Sequence, residues 1–495
     1  MNHGESAKIL DRKSHNSEIK VGHVKRVNRT VMRYLLLIVC IVSGPAWSQT
    51  SPAYKDEVFT EYFRRTTGWT ASDGTISVNL LNGKTMWLMG DSYIDNYIEE
   101  DNTIPCLFQV RNSILVQDIS EPSEIITILD NGQTGVNRTP VKLQSDPSYF
   151  WPAHGYVKGD TAITFWQQYS GADMTHVQNY VAKIYTPGFS DASSIKELKA
   201  LSLPAEYEFG TSVVVDSAAQ FIYLYGFKKD WIIFRPYIAR FPIGQDVLKP
   251  WEFFDGLEWT SDVNSVEQIM ASTSDYVSPS FSVLKLQEKY YMISQDVGFL
   301  TCGLGRDIYS WESESPEGPF TNKKLLYTIE DKFNGEYMIT YNATAHPEFI
   351  KNNELLISYN VNGACTNYCQ DPFNNRYDAD LYRPKFIRVP LDYIDPTLNI
   401  PDPTFPIDPV TGIDSEFNED ITVYPNPTTG SITIDMAPYG TGQSAKFRIT
   451  NAYGQTIAER DIDEPQVTIS LDDSGLYFLH IVSPHRHDVR KIVVH

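Results

Sequence analysis

Between Ser51 and Asp395 one unit recurs: a polar or small residue, a strand, a turn and a second strand, with almost no helical pattern in between. Its copies open at Asp73 (GTISVNL…KTMWLMG), His154 (GYVKGDTAITFWQQ), Glu208 (FGTSVVVD…FIYLYGF), Ser278 (PSFSVLKLQEKYYMISQ) and His346 (PEFIKNNELLISYNV). Periodic β-units of this length stack as propeller blades, because a single hairpin cannot bury its apolar face alone. Five of them predict an all-β chain built on a five-bladed β-propeller over residues 51–394, with Lys385-Phe-Ile-Arg-Val389 closing the ring. A six-bladed ring and a large sandwich are the alternatives. The 30 Tyr, 24 Phe and 9 Trp suit either use of such a scaffold. Flat rings pack well on pleated sheets, and the same faces can cover the apolar sides of sugar rings.

The ends of the chain say where it goes. Lys25, Arg26, Arg29 and Arg33 precede the apolar run Tyr34–Val42, followed by Gly44-Pro45 and the small-x-small sequence Ala46-Trp47-Ser48. That order predicts a removable export leader over 1–48, with Gln49 first after cleavage and translation starting at Met1 or at Met32. The run is too short for a stable membrane anchor, so no transmembrane segment is expected in the mature chain. Four cysteines then remain, Cys106, Cys302, Cys365 and Cys369, compatible with disulfides in an exported chain. Their connectivity is open, and Cys365 with Cys369 could form a local bridge.

The whole chain carries a net charge of −21. The leader holds eight Lys/Arg against three acids, so the remainder carries −26. Such a surface repels phosphate backbones and excludes nucleic acid as the expected partner. It could attract Ca²⁺, but charge alone specifies no site, and neither a metal ligand set nor a cofactor is expected.

Prolines at 396, 401, 403, 406 and 409 mark a spacer over 395–419 that cannot feed a sheet ladder. Beyond it, residues 420–495 alternate as the short strands of a small C-terminal β-sandwich, among them Ser431–Asp435, Ala445–Thr450, Gln466–Ser470 and Leu476–Ile481. Val423-Tyr-Pro-Asn-Pro-Thr-Thr-Gly430, Asn451-Ala-Tyr-Gly454, Ser474-Gly-Leu-Tyr-Phe-Leu-His-Ile481 and Lys491-Ile-Val-Val-His495 resemble the type A sorting domain of the type IX secretion system. The resemblance implies that secretion machinery as a partner, and release from the cell or attachment at its outer surface.

In a propeller, polar groups at the mouths of the innermost strands share one cavity. Asp73 and Asp91 start and finish one hairpin around Asn82-Gly83, whose type I′ turn pairs Leu81 with Lys84 and sets Asp91 opposite Gly74. Two carboxyls at one end of a hairpin are the equipment of a glycosidase, since mutual repulsion leaves one of them a proton donor. Arg111 and Asn112 follow, the first suited to orient a carboxylate and lower its pKa. His154 and Glu208 open the second and third units. His346 and Glu348 share a strand face, as do Asn360 and Asn362, and all are candidate substrate-binding or pKa-tuning groups. Trp69, Trp151 and Tyr341 are candidate stacking platforms. The chain lacks G-x-S-x-G, H-E-x-x-H, a P-loop, a dinucleotide fingerprint and the sialidase repeat S-x-D-x-G-x-x-W.

Ser72-Asp-Gly74, Trp87-Leu-Met-Gly-Asp-Ser92, Arg111-Asn-Ser113, Ser315-Pro-Glu-Gly-Pro319, Tyr341-Asn-Ala-Thr-Ala-His-Pro-Glu348 and Ser358-Tyr-Asn-Val-Asn362 resemble the five-bladed propeller families related to arabinan- and fructan-cleaving glycoside hydrolases. Domain-of-unknown-function families 4185 and 5005 are the most similar, and the first includes endo-D-arabinanases. The resemblance implies an acidic pair, matched in position by Asp73 and Asp91, and a polysaccharide or glycan substrate. The alternative is a non-catalytic surface propeller that binds glycan or protein.

Overall fold

Apolar alternation becomes strand wherever the sequence shows it, because a half-buried pleat needs one apolar face. A computed structural model of the chain describes residues 51–131, 138–143, 146–171, 173–230, 233–297, 303–364 and 375–401, and, in the C-terminal part, 422–435, 445–451, 456–462, 466–471, 474–483 and 486–494. Among these residues the chain is all-β, and α-helix is confined to Glu57–Glu61 and Leu391–Ile394. The expected leader, Cys302, Cys365, Cys369 and residues 402–419 of the spacer lie outside the described residues.

Five antiparallel sheets of four or five strands follow one another along the described part of residues 51–401, beside two two-stranded sheets. The first comprises Ile76–Asn79, Lys84–Met89, Ser113–Asp118 and Ile125–Ile128. The second begins with Tyr149–Lys158, the third with Tyr207–Asp216 and the fourth with Phe281–Leu286. The fifth runs from Glu336–Lys351 through Glu354–Ala364 and Lys385–Pro390 to Tyr54–Lys55 at its outer edge. It therefore joins both ends of the region. Asp56 reinforces that seam, accepting at its carboxyl group from Phe59 N (2.8 Å) and from Arg388 Nε (2.8 Å).

The first strand of each sheet lies beside the first strand of the next, and that of the fifth lies beside that of the first. Side chains sew every one of these junctions. His154 Nδ1 accepts from Val213 N (2.9 Å), so its Nε2–H donates to Ser77 O (3.1 Å), and one imidazole links the first three sheets. Ser212 Oγ accepts from Val283 N (2.8 Å), tying the third sheet to the fourth. Ser282 Oγ accepts from Ala345 N (3.0 Å), tying the fourth to the fifth. His346 spans the last gap, between Ser77 Oγ (2.7 Å) and Ser358 Oγ (2.8 Å). Such bonds contribute about 1 kcal/mol each when made and leave a larger penalty when broken in the interior.

Apolar layers fill the space between neighbouring sheets, as with Val214, Tyr225, Ile238, Val283 and Met292 between the third and fourth. The boundary expected at Asp395 falls later. Asp395 accepts from Tyr291 Oη (2.8 Å) and Lys289 Nζ (3.1 Å), and Leu398 is buried in the same apolar cluster as Ile394. Proline alone gave the spacer signal, and it could not reveal that the first part of the segment is pinned. In the C-terminal part, Thr422–Tyr424, Ser431–Asp435 and Gln466–Ser470 form one sheet, while Ala445–Asn451, Thr456–Ile462, Gly475–Ser483 and Arg486–Val494 form another. Ile432, Ile434 and Val467 of the first share a core with Phe447, Ile449, Leu479 and Ile492 of the second.

Candidate active site

The hairpin carrying Asp73 and Asp91 forms with a register one residue away from that expected. Ser77 pairs with Trp87 and Asn79 with Thr85, and the closing bond runs from Leu80 N to Lys84 O (2.9 Å). Leu81, Asn82 and Gly83 make a three-residue connection in which Leu81 (φ +59°) and Gly83 (φ +84°) are left-handed. Asn79 Oδ1 accepts from Leu81 N (2.8 Å), local capping that favours this longer turn over the two-residue one. The two acids still meet at one end, because Gly90 N donates to Asp73 O (2.8 Å).

Their carboxyl groups form one electrostatic unit. Tyr341 Oη donates to Asp73 Oδ2 (3.1 Å), and the Tyr382 hydroxyl and the Asp91 backbone N–H also act to lower the Asp73 pKa. Burial nevertheless raises the Asp73 pKa above the ordinary carboxylate range, and these donors only moderate it. Asp91 is raised by burial and then by the charge of Asp73, with Arg111 opposing both. Arg111 Nη1 stands 3.3 Å from Asp91 Oδ2 and 3.4 Å from Oδ1. The pair therefore keeps a proton at pH values where an isolated carboxyl group has lost it.

Gly90 is part of this geometry. A Cβ there would lie 2.2 Å from Asp73 Oδ1, so any side chain displaces the carboxyl group. Gly90→Ala is expected to push the Asp73 carboxyl group away from its place beside Asp91 and so weaken the coupling of their titrations, with little change in melting temperature. Titration of the two carboxyl groups by NMR and thermal melts of the same preparation check this.

Aromatic groups continue the site onto the second and third sheets. The Arg111 guanidinium lies over the rings of Tyr149 (4.1 Å) and Phe108 (4.7 Å). Trp151 packs at 5.4 Å from Tyr149 and 4.8 Å from Tyr169. Its indole N–H also lowers the Asp91 pKa, although it lies outside hydrogen-bonding geometry. Tyr169 Oη donates to Glu208 Oε2 (2.5 Å), and burial holds the Glu208 carboxyl group above its ordinary range. Asp73, Arg111, Trp151, Tyr169, Glu208 and Tyr341 all keep partial contact with solvent, so the site reaches the surface, while Asp91 itself is buried.

Other residues singled out in the sequence serve the ring. His154 and His346 sit inside their long first strands, Tyr149–Lys158 and Glu336–Lys351, where their ring nitrogens are committed to the bonds described above. Burial keeps both neutral, lowering His154 to about 4 and His346 well below its usual value. Asn112 donates to Val141 O and Phe150 O (both 2.9 Å) and accepts from Val141 N (3.1 Å), so it binds the first sheet to the second. Asn360 Nδ2 donates to Thr75 Oγ1 (2.9 Å) in the fully buried interior. Glu348 lies beside Ser77, the partner of His346, and burial pushes its pKa up to about 7. None of these five touches the Asp73–Asp91 pair. Trp69 is likewise core, packed edge-on against Phe63 at 5.8 Å. Tyr382 and Tyr169 escaped the sequence reading because each reaches the site from a neighbouring element, with no local motif to mark it.

Among the described residues no group of three or more His, Cys, Asp or Glu is placed to hold a metal ion. Cys106 is disulfide-bonded, and its carbonyl accepts from Tyr93 Oη (3.1 Å) behind the cleft. Two grooves run along the outer part of the second sheet, past Lys196 and Leu198, remote from the acids.

Residues 56–402 match a family described as a domain of unknown function, DUF5005, and residues 422–495 match a secretion system C-terminal sorting domain. No curated protein matches the chain. Among solved structures, a presumed hydrolase from Bacteroides ovatus is similar at 25% identity and a TM-score of 0.56, covering 70% of this chain and 93% of that one. An α-L-arabinanase mutant from Cellvibrio cellulosa aligns at 9% identity and a TM-score of 0.38, over 68% of this chain and 99% of that one. An exo-1,5-α-L-arabinanase from a bovine ruminal metagenomic library aligns at 9% identity and 0.38, over 65% and 93%. No helix among the described residues is long and apolar enough to cross a membrane, and the sorting domain directs the chain to the cell surface or the medium. Because the first match runs from Asp56 beside the N-terminal edge strand to the end of the pinned segment, the chain belongs to the DUF5005 family and carries a type IX secretion sorting domain behind it.

Proposed function

We propose that the chain is a secreted glycoside hydrolase whose five sheets are the blades of a propeller, with a small sandwich as its sorting tail. The observation that carries the reading is the Asp73–Asp91 pair, two carboxyls that share a proton in a cleft rimmed by aromatic rings. Asp73, with the Tyr341 hydroxyl on its Oδ2 and the Tyr382 hydroxyl and Asp91 N–H also favouring its ionised form, is the better stabilised carboxylate, so Asp91 keeps the proton. Asp91 then protonates the glycosidic oxygen as the C–O bond breaks. Asp73 deprotonates the water that attacks the anomeric carbon, or attacks that carbon itself. Glu208, anchored by Tyr169, positions the sugar beside Trp151. The resemblance of the hydrolase from Bacteroides ovatus over most of its length supports this reading, and the likeness of the sequence motifs to arabinan-cleaving propellers makes arabinans first in line as substrates.

The test is a panel of plant and bacterial polysaccharides with product analysis by chromatography. Release of oligosaccharides or monosaccharides from at least one of them, lost in Asp73→Asn, is the expected result. Tight binding of a glycan with no product from any of them would make the protein a surface binder and end the hydrolase reading.

A further inference from the structure

Among the described residues, Arg383, Arg376 and Arg111 lie near the site, and the first two are each tied down through more than one nitrogen. Arg383 is buried and donates from Nε to Thr70 O (2.9 Å), from Nη2 to Arg65 O (2.9 Å) and from Nη1 to Asn102 Oδ1 (3.2 Å). Arg376 donates from Nε to Thr103 Oγ1 (2.9 Å) and from Nη2 to Thr103 O (2.8 Å) and Asn96 O (2.5 Å). These two clasp the segments around Thr103 and Asp378, which pair as short strands at the rim. Arg111 differs from both. Only its Nη1 is engaged, at distances longer than the 2.7–2.9 Å of a strong ion pair. Nε and Nη2 make no hydrogen bond among the described residues, and 34% of the side chain is exposed.

The guanidinium is nevertheless held in place. Tyr149 and Phe108 fix it through ring contacts that use up none of its N–H groups. Nor does pairing with Asp91 account for it. Were Arg111 there only to neutralise Asp91, that carboxyl group would sit below its ordinary range, whereas burial and Asp73 push it above. With one proton on the pair, the pair's single negative charge and Arg111 balance. An anion is then not repelled locally, even on a chain of strongly negative net charge.

A flat, pre-oriented guanidinium with an open edge matches a planar carboxylate through two parallel N–H···O bonds, a fit that a sugar hydroxyl cannot reproduce. We propose that the glycan bound in this cleft carries a uronic acid residue, whose carboxylate is gripped by Arg111 next to the scissile bond. The inference rests on the proposed hydrolase reading only for the place where substrate lies, and it extends that reading to the substrate class.

Calorimetric binding to the mature full-length Asp73→Asn protein tests it without turnover. The probes are glucuronic acid- and galacturonic acid-containing oligosaccharides, each beside the same material after chemical reduction of its carboxyl groups. At least one acidic oligosaccharide is expected to bind at least about tenfold tighter than its reduced form, the scale of a charge-assisted bidentate contact. Adding Arg111→Gln should remove that preference while leaving the reduced form within about twofold. Arg111→Lys, which keeps the charge beside Asp91 but not the fork, should restore only part of it. Equal binding of acidic and reduced forms by the Asp73→Asn protein would overturn the inference, as would an Arg111→Gln loss shared equally by both. The two readings fail separately. Hydrolysis of neutral glycans alone leaves the hydrolase standing without the uronate, and tight uronate binding without any turnover does the reverse.

Discussion

Asp73→Asn and Asp91→Asn are each expected to lower turnover by at least about a thousandfold on the substrate found by screening, while the chain stays folded. The reason is chemical, since an amide neither gives up a proton to a leaving oxygen nor takes one from water. The same pair sets the pH dependence. Both folded-state pKa values lie above those of the unfolded chain, so the folded protein binds these protons more tightly. The stabilisation from this is present at low pH and is lost as pH rises through the folded values. Replacing Asp91 by Asn should therefore raise the melting temperature at pH 8, where wild type pays for buried charge, and change it little at pH 4. Activity should peak on the acid side of neutrality and fall on both flanks, because one carboxyl must be ionised and the other protonated. Full activity in both variants would remove the pair from the chemistry, and a melting temperature lowered at pH 8 would contradict the electrostatic account.

His346→Ala is expected to destabilise the chain by about 3–5 kcal/mol, far more than a typical single substitution. The imidazole is fully buried against Trp87, with ring centres 4.8 Å apart, and removing it orphans the hydroxyls of Ser77 and Ser358 together. Denaturant titration reads the loss. Turnover per folded molecule should stay near wild type, which separates this residue from Asp73. His346 and His154 also make the ring acid-sensitive. Their folded pKa values are depressed, so their contribution is complete above the unfolded value near 6.5 and declines as pH falls below it.

The sequence disclosed the strands and the acids better than their register or their helpers. Alternation around Asn82-Gly83 was enough to bring Asp73 to Asp91, because both flank one hairpin whatever the turn length. It could not foresee that Leu81 would turn left-handed and add a residue, since the side-chain hydrogen bond from Asn79 decides that. His154 and His346 were read as strand openings, yet both first strands begin earlier than the unit they mark. That shift moves their rings from the mouth into the interior, where hydrogen bonding between sheets claims them. Tyr382 and Tyr169 became visible only once distant segments were side by side. The sorting domain was legible at the C-terminal end because its signature is carried by short linear patterns such as Val423–Gly430 and Lys491–His495, which can be read independently of packing.

The sheet that joins both ends of the region also sets a timetable. Tyr54–Lys55 leaves the ribosome first, while its neighbour Lys385–Pro390 is made nearly last, so the final seam waits for the whole region to be synthesised. A ring that cannot lock early stays open until its last strand has been made. A cut just beyond Lys55 would strip that first strand away, leaving Lys385–Pro390 as a bare edge open to pairing with another copy.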